Sequence, residues 1–361
     1  MVRNSASHGD SAFVGWPAVL SQLLRHEDLQ FDDARDAITE ILLGNATSAQ
    51  IAAFVVALRA KGETAIELEA MLLAVREASV SVSLSPAIAA HAIDIVGTGG
   101  DHSNSVNVST MSALVVAGAG VPVCKHGNYA SSSACGAADL LKKLGVAIEL
   151  DAAGVEACID SAGIGFCLAS RFHPAFRHAG PTRREIGIPT VFNLLGPMAN
   201  PAPIANMLVG VASPAMMTNM ATALVSRGVS NAWVVHGHGG IDELSLSGDN
   251  DVVQLRDGEV SQFTVNAKDF GIAPASLDDI KGGDPTVNAR ICHELLAGQK
   301  GAVRDIVSFN AGASLYVAGM CSEVAEGIER AHASIDSGAA SDVLEKLIAE
   351  SNVQSARLET K

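Results

Sequence analysis

Between residues 16 and 77 the apolar positions recur every three or four residues, the period of a helix with one buried face. The pattern predicts four helices, over 16–25, 31–43, 48–61 and 65–77. Thr47 with Gln50, and Thr64 with Glu67, have the spacing of capping boxes, in which each side chain covers the other's free backbone donor. Gly44 and Gly62 are natural helix stops. This stretch holds no strand pattern. It predicts a small helical domain over 16–85, ending near SVSVSLSP (79–86), after a flexible tail of residues 1–15.

From residue 92 the rhythm changes to strand, glycine loop, helix. AIDIV (92–96) reads as a buried strand, 110–119 as a helix, VPVC (121–124) as the next strand, and 139–144 as a helix closed by Gly145. AWVVHG (232–237) is a further strand entering a glycine loop. Asp257-Gly258, set between VVQL and VSQFTV, is a hairpin signal. Alternating β and α units predict an α/β domain over 86–350, with a mainly parallel sheet, helices on both faces and one antiparallel excursion. The chain shows no internal repeat and no low-complexity tract.

Composition narrows the class. Of 361 residues, 48% are hydrophobic but only 4% aromatic, so the core must be built of Ala, Val, Leu and Ile. No apolar run reaches the roughly 18 residues of a membrane span. The start MVRNSASHGDSAF has no signal-peptide apolar segment, which predicts a cytoplasmic protein. Six cysteines without a CxxC pair are expected to be reduced thiols. The formal net charge of −15 argues against nucleic acid or an anionic membrane as the main partner. It leaves a small anionic substrate open, because charges beyond about 8 Å are largely screened and the local pocket decides.

Candidate chemistry begins at VGTGGDH (96–102). A glycine loop after a parallel strand lies at the sheet edge where α/β proteins bind ligands, and bare backbone N–H groups there form nests for phosphate. Asn107-Val108-Ser109-Thr110 then opens a helix, where Ser109 and Thr110 either cap it or present hydroxyls to a phosphate or metal. The plain alternative is a tight turn with ordinary caps. The loop is no standard nucleotide motif: GxxxxGK[ST] is missing, and His102 breaks GxGxxG. Lys125-His126-Gly127-Asn128, with Ser131, Ser132 and Ser133, repeats the phosphate-type arrangement on the following strand. RFHPAFRHAGPTRR (171–184) holds four arginines and no acid. It is either a basic surface or a pocket for carboxylate and phosphate. Asp242-Glu243, in a loop after a strand, suits Mg²⁺ shared with substrate phosphates. The rival there is a zinc site built on His236 and His238.

Taken together these segments resemble one family. GTGGD (97–101), NVST (107–110), KHGN (125–128), HPAFRH (173–178), RREIG (183–187), FNLLGPMANP (192–201), VVHG…DE (234–243) and GGD…NA (282–289) occur in the order and spacing of the anthranilate phosphoribosyltransferases. The resemblance spans residues 16 to 320 and includes AQIAAFVVALRAKGET (49–64).

The resemblance implies a helical domain joined by part of 172–197 to a large α/β domain, as in class II nucleoside phosphorylases, and a homodimer. It implies transfer of a phosphoribosyl group from phosphoribosyl pyrophosphate to anthranilate, in tryptophan biosynthesis. Gly97, Gly100, Asp101, Ser105, Asn107, Ser109, Thr110 and Lys125 would hold phosphoribosyl pyrophosphate. Val108, His126, Gly127, Ser131, Ser132 and Ser133 complete that substrate site. Ser109, Asp242 and Glu243 would bind Mg²⁺. Gly97, Asn128 and Arg183 would contact anthranilate, with His173 and Pro197 along its access channel. Lys125, Asn128 and Arg183 would act by positioning, without a covalent intermediate. Two positions depart from the family pattern: Tyr129 stands where Arg is usual, and Ala137 where Ser is frequent. The alternatives are a pyrimidine nucleoside phosphorylase-like enzyme and a silent homologue that binds nucleic acid.

Overall fold

A computed structural model describes residues 13–130 and 133–360. Its first helices are α1 (Trp16–Leu24), α2 (Phe31–Leu43), α3 (Ser48–Lys61) and α4 (Ala65–Glu77). Both capping boxes close: Thr47 N–H donates to Gln50 Oε1 at 2.8 Å, and Thr64 N–H to Glu67 Oε2 at 2.8 Å. Gly44 ends α2 at φ 80°, a conformation glycine adopts without a Cβ clash. Ile38, Ile41, Phe54, Leu58, Leu68 and Met71 fill the bundle. Of the predicted tail, residues 1–12 lie outside the described residues. Phe13 already packs edge-on against Trp16 at 5.3 Å.

The α/β part follows with α5 (Pro86–His91), β1 (Ile93–Gly97), α6 (Val108–Gly118), β2 (Val123–Gly127), α7 (Ala137–Lys143), α8 (Ala152–Ala162) and β3 (Ile164–Leu168). The chain then leaves the sheet through α9 (Ala169–Phe172), a 3₁₀ turn at Pro174–His178, α10 (Gly180–Ile186) and α11 (Val191–Met198). These pieces rest on α2, α3 and α4. The chain returns as β4 (Asn206–Gly210), α12 (Met217–Ser226), β5 (Asn231–His236), β6 (Asp249–Arg256) and β7 (Glu259–Asn266). It ends in α13 (Pro285–Leu296), α14 (Ala302–Val317), α15 (Val324–Asp336) and α16 (Ala339–Glu359).

The seven strands run in the order β3-β2-β1-β4-β5-β6-β7. β1 to β5 are parallel, and β6 and β7 add antiparallel. Asp257 and Gly258 turn the hairpin at φ 51° and 84°, the two left-handed residues a two-residue turn requires. The chain winds outward from β1 to β3, then crosses back to place β4 on β1's other side. That reversal opens a crevice beyond the carboxyl ends of β1 and β4, the position where doubly wound sheets bind ligands.

Strands β3 and β4, and α8 to α16, have no counterpart in the pattern reading. β3 and β4 are buried along their whole length. A strand covered on both faces shows a continuous apolar run in place of alternation, so periodicity does not mark it. α6 also starts earlier than its pattern, at Val108, with Asn107 as N-cap. Ser109 and Thr110 therefore sit inside its first turn and cap nothing.

Candidate active site

Gly97 and Gly210 end β1 and β4 at the same register position. Both lack a side chain because the loop after β5 crosses there. A Cβ on Gly97 would stand 2.2 Å from Asp242 Oδ2, and one on Gly210 1.6 Å from the Asp242 carbonyl oxygen. The crossing delivers two carboxylates to the crevice floor. Asp242 Oδ2 accepts the Gly99 N–H at 2.7 Å, and Glu243 Oε1 accepts the Ser109 N–H at 3.1 Å. Lys125, buried on β2, donates to the Ile95 carbonyl and to Ser109 Oγ, the latter at 3.3 Å.

These groups are out of electrical balance. Burial, with Asp101 close by, pushes Asp242 up to about 7. Burial and then Asp242 push Glu243 well above the usual carboxylate range. Burial also lowers the Lys125 amine, although Asp94, Glu243 and Asp242 oppose that shift. Three acids thus face one desolvated amine, an arrangement that a divalent cation relieves. Two carboxylates and a hydroxyl form an open, hard-oxygen donor set, which fits Mg²⁺ that keeps waters and shares substrate phosphates. His236 and His238 are engaged elsewhere: their Nδ1 atoms meet the Val211 carbonyl at 2.8 Å and Ser247 Oγ at 2.9 Å. Among the described residues no three His, Cys, Asp or Glu side chains converge on a metal position.

The loop after β1 is a backbone cradle. Gly99 and Gly100 have φ of 67° and 79°, and His102 and Asn104 follow at 56° and 51°. Repeated left-handed residues turn successive N–H groups to one side, making an anion nest. Asp101 Oδ1 accepts the Ser103 N–H at 3.2 Å, and Ser103 Oγ donates to Ser105 Oγ at 3.1 Å. Asn288, named in no motif role above, locks this edge. Its amide donates to Asn107 Oδ1 at 2.8 Å and its Oδ1 accepts the Gly283 N–H at 2.7 Å. Asn107 in turn donates to the Cys135 carbonyl at 2.9 Å. The only sequence signal for Asn288 is its place in GGD…NA.

The second loop is closed at its neck by Asp139, whose Oδ2 accepts Ala130 N–H at 2.8 Å and Gly136 N–H at 2.9 Å. Ser131 and Ser132 lie outside the described residues. Ser133 Oγ donates to the Cys135 carbonyl at 3.4 Å. Asn128 and Tyr129 are exposed at the loop's start, while Gly127 is half-buried. Val108 offers little: its side chain is in the core and its N–H is donated to Val106 O at 2.7 Å. Thr110 is buried, with no hydrogen bond to its hydroxyl among the described residues.

Arg183 lies on α10, half-buried, its guanidinium 5.2 Å from the Phe192 ring centroid. Among the described residues no acid forms a salt bridge with it. Burial lowers its pKa, so an arriving anion gains strongly from meeting it. His173 stacks on Phe176 at 5.4 Å. It is 4% exposed, and burial, then the charge of His126, hold its ring pKa down to about 4. Pro197 is buried inside α11. The candidate residues thus fall in two groups: a nest and carboxylates at the sheet's edge, and, on the segment that rests on the bundle, a guanidinium beside an aromatic ring with no salt-bridge partner among the described residues.

Residues 89–341 match the α/β domain of the glycosyl transferase family, and residues 17–79 match its helical bundle domain. The anthranilate phosphoribosyltransferase of Roseiflexus sp. (strain RS-1) is 47% identical over 329 residues, covering 91% of this chain and 95% of that protein. The crystal structure of anthranilate phosphoribosyltransferase from Thermus thermophilus superposes with a TM-score of 0.87 at 39% identity, over 92% of this chain and 99% of that one. The Saccharomyces cerevisiae enzyme, in complex with PRPP and Mg, gives a TM-score of 0.85 at 30% identity, over 94% and 98%.

Proposed function

This chain belongs to the anthranilate phosphoribosyltransferase family, and on that premise we propose which of its residues carry the reaction. The reaction joins anthranilate to the phosphoribosyl group of phosphoribosyl pyrophosphate and releases pyrophosphate, a step of tryptophan biosynthesis. The observation that carries the assignment is the crossing of Asp242 over Gly97 and Gly210, which sets two carboxylates beside the glycine loop; Arg183, with no salt-bridge partner among the described residues, supports it.

Phosphoribosyl pyrophosphate lies in the nest from Gly97 to Asp101. Ser105, Asn107, Ser109, Thr110 and Lys125, with the loop that starts at Gly127, enclose its phosphates. Asp242, Glu243 and the Ser109 hydroxyl hold Mg²⁺, which supplies charge neutralisation for the leaving diphosphate. Arg183 grips the anthranilate carboxylate, and Asn128 with the Gly97 backbone orients its amine toward the ribose C1. His173 and Pro197 wall the approach; His173 is neutral there and adds no charge.

The bond from C1 to the diphosphate oxygen breaks as the amine nitrogen bonds to C1. Negative charge grows on the leaving oxygen, where amides of the glycine loop and Lys125 would stabilise it. The aromatic amine is neutral and nucleophilic as bound, so the residues orient it without first removing a proton; once the C1–N bond has formed, the nitrogen gives up one proton to the released diphosphate or to solvent. Alignment of two held substrates contributes about 7–11 kcal/mol in favourable cases. No side chain becomes covalently ribosylated.

The chain also pairs with a second copy through its helical bundle, a reading supported by Val14, Leu24, Leu43, Val56 and Ile66, large apolar side chains left exposed there. It acts in the cytoplasm, where its six buried, unbridged cysteines stay reduced. Among the described residues no helix is long and apolar enough to cross a membrane.

The test is the loss of anthranilate fluorescence with phosphoribosyl pyrophosphate and Mg²⁺, beside phosphorolysis of uridine and thymidine. Loss that needs all three components, with the nucleosides untouched, is expected. Nucleoside cleavage with anthranilate ignored would replace this reading with a phosphorylase.

A further inference from the structure

Beneath the crevice lies a polar network that the transfer chemistry does not touch. Asp94 sits within β1 with no exposed surface. Its Oδ1 accepts the His126 backbone N–H at 3.2 Å, and its Oδ2 accepts the Asn200 amide at 2.8 Å. Oδ2 also pairs with His126 Nδ1. The same Asn200 amide nitrogen donates to the Cys124 carbonyl at 2.7 Å. On its far side the ring presents Nε2 to the Gly196 carbonyl at 2.6 Å.

A carboxylate and a carbonyl only accept hydrogen bonds. With an acceptor at each ring nitrogen, both contacts are hydrogen bonds only where both nitrogens donate. The residue is 4% exposed. A cation so buried needs a partner charge, and Asp94 is that partner. Burial works to raise the Asp94 carboxyl, but His126, Lys125 and the Asn200 amide outweigh it and hold the group below its ordinary value. The bond at Gly196 matters because Pro197 follows it inside α11 and brings no N–H to the helix ladder. The Gly196 carbonyl is held by Ala199 N–H at 3.2 Å and by His126.

We propose that Asp94 is a positioning residue for the acceptor side of the site: it keeps His126 doubly protonated, and His126 fixes the Gly196–Pro197 corner against β2. The same strand continues through Gly127 into Asn128, so one charged ring sets the spacing between the diphosphate loop and the wall that receives anthranilate. This rests on the placement of anthranilate beside Pro197 and Arg183 given above. Asp94→Asn keeps the shape and removes the charge. The ring then gives up a proton, and one of its two bonds is lost.

The experiment compares the parent with Asp94→Asn and His126→Gln. In ¹⁵N-histidine NMR at neutral pH, the parent should show a buried histidine with both nitrogens protonated, and Asp94→Asn should lose that signal. In steady-state kinetics Asp94→Asn should raise the KM for anthranilate about five- to tenfold, the scale of one positioning hydrogen bond. The KM for phosphoribosyl pyrophosphate should stay within about twofold, a split that general loosening of the fold would not give. Should Asp94→Asn fail to fold, His126→Gln, which spans only one of the two acceptors, is expected to raise the KM for anthranilate by a similar factor, and an unmoved value overturns the proposal. A neutral His126 in the parent overturns the proposal, as do two KM values that rise together or do not move. A parent that ignores anthranilate defeats the substrate reading and the acceptor role with it, while the NMR signal still decides the charge of His126.

Discussion

Asp242 occupies the space that a side chain on Gly97 would need: the missing Cβ would lie 2.2 Å from Asp242 Oδ2. The glycine is therefore a demand of packing between two loops distant in sequence, which Gly99 and Asp242, 143 residues apart, also join by a hydrogen bond, beyond any need for backbone freedom. Its φ is unremarkable, in contrast to Gly99 and Gly100.

Gly97→Ala should push the carboxylate aside without unfolding the sheet. The expected result is a fall in kcat/KM for phosphoribosyl pyrophosphate of about a hundredfold, comparable to removing a preorganised electrostatic contact. The Mg²⁺ titration should move to higher concentration. A variant with parental kinetics would mean that the Asp242 position is irrelevant to turnover.

This relationship also marks how far the residues speak for themselves. VGTGGDH offers a nest or a tight turn after an apolar strand, two readings that the glycines alone leave open. The capping boxes at Thr47 and Thr64 announce α3 and α4 through local bonds alone. Neither signal says why Gly97 differs from Gly99, since that needs Asp242 folded against it. Asp94 reads as one polar residue within AIDIV, and Asn200 as one within MANP. Their bond at 2.8 Å joins positions 106 residues apart, and no local period encodes it. The same holds for Asn288 and Asn107, 181 residues apart.

Arg183→Ala should raise the KM for anthranilate about thirtyfold, the worth of one charge-assisted, two-pronged contact. Arg183→Lys should recover part of it, because a point charge replaces the planar fork. The KM for phosphoribosyl pyrophosphate should be unchanged. An unaltered anthranilate KM in the alanine variant would place the carboxylate elsewhere.

Asp242→Asn combined with Glu243→Gln should abolish the response to Mg²⁺, leaving residual turnover flat across a titration in which the parent rises and saturates. Both carboxyls stand above their ordinary range because of burial. Protons thus bind the folded, metal-free protein more tightly than the unfolded chain, and its stability falls as pH rises from about 4 towards 7. The paired substitution should flatten that slope. A slope identical to the parent's would show that these acids are charged and satisfied without a cation.

His173 has the opposite sign. Its folded pKa is about 4 against an ordinary value of 6.5, because burial and then His126 disfavour the charged ring. The unfolded chain binds the proton first, so this contribution is complete above about pH 6.5 and drains away as pH falls towards 4. At most about 3 kcal/mol is at stake. His173→Gln should lose less stability than the parent between pH 7 and pH 4.5 in urea titrations, and parallel curves would show the ring to be protonated in place.

The most direct measurement is a crystal structure of the protein with phosphoribosyl pyrophosphate, Mg²⁺ and an unreactive anthranilate analogue. The expected result is the diphosphate cradled by the loop from Gly97 to Asp101, with the amides of Gly100 and Asp101 donating to it, a cation touching Asp242 and Glu243, and the aromatic carboxylate on Arg183. Density for the diphosphate away from the ends of β1 and β4, or a cation that bypasses both carboxylates, would contradict it.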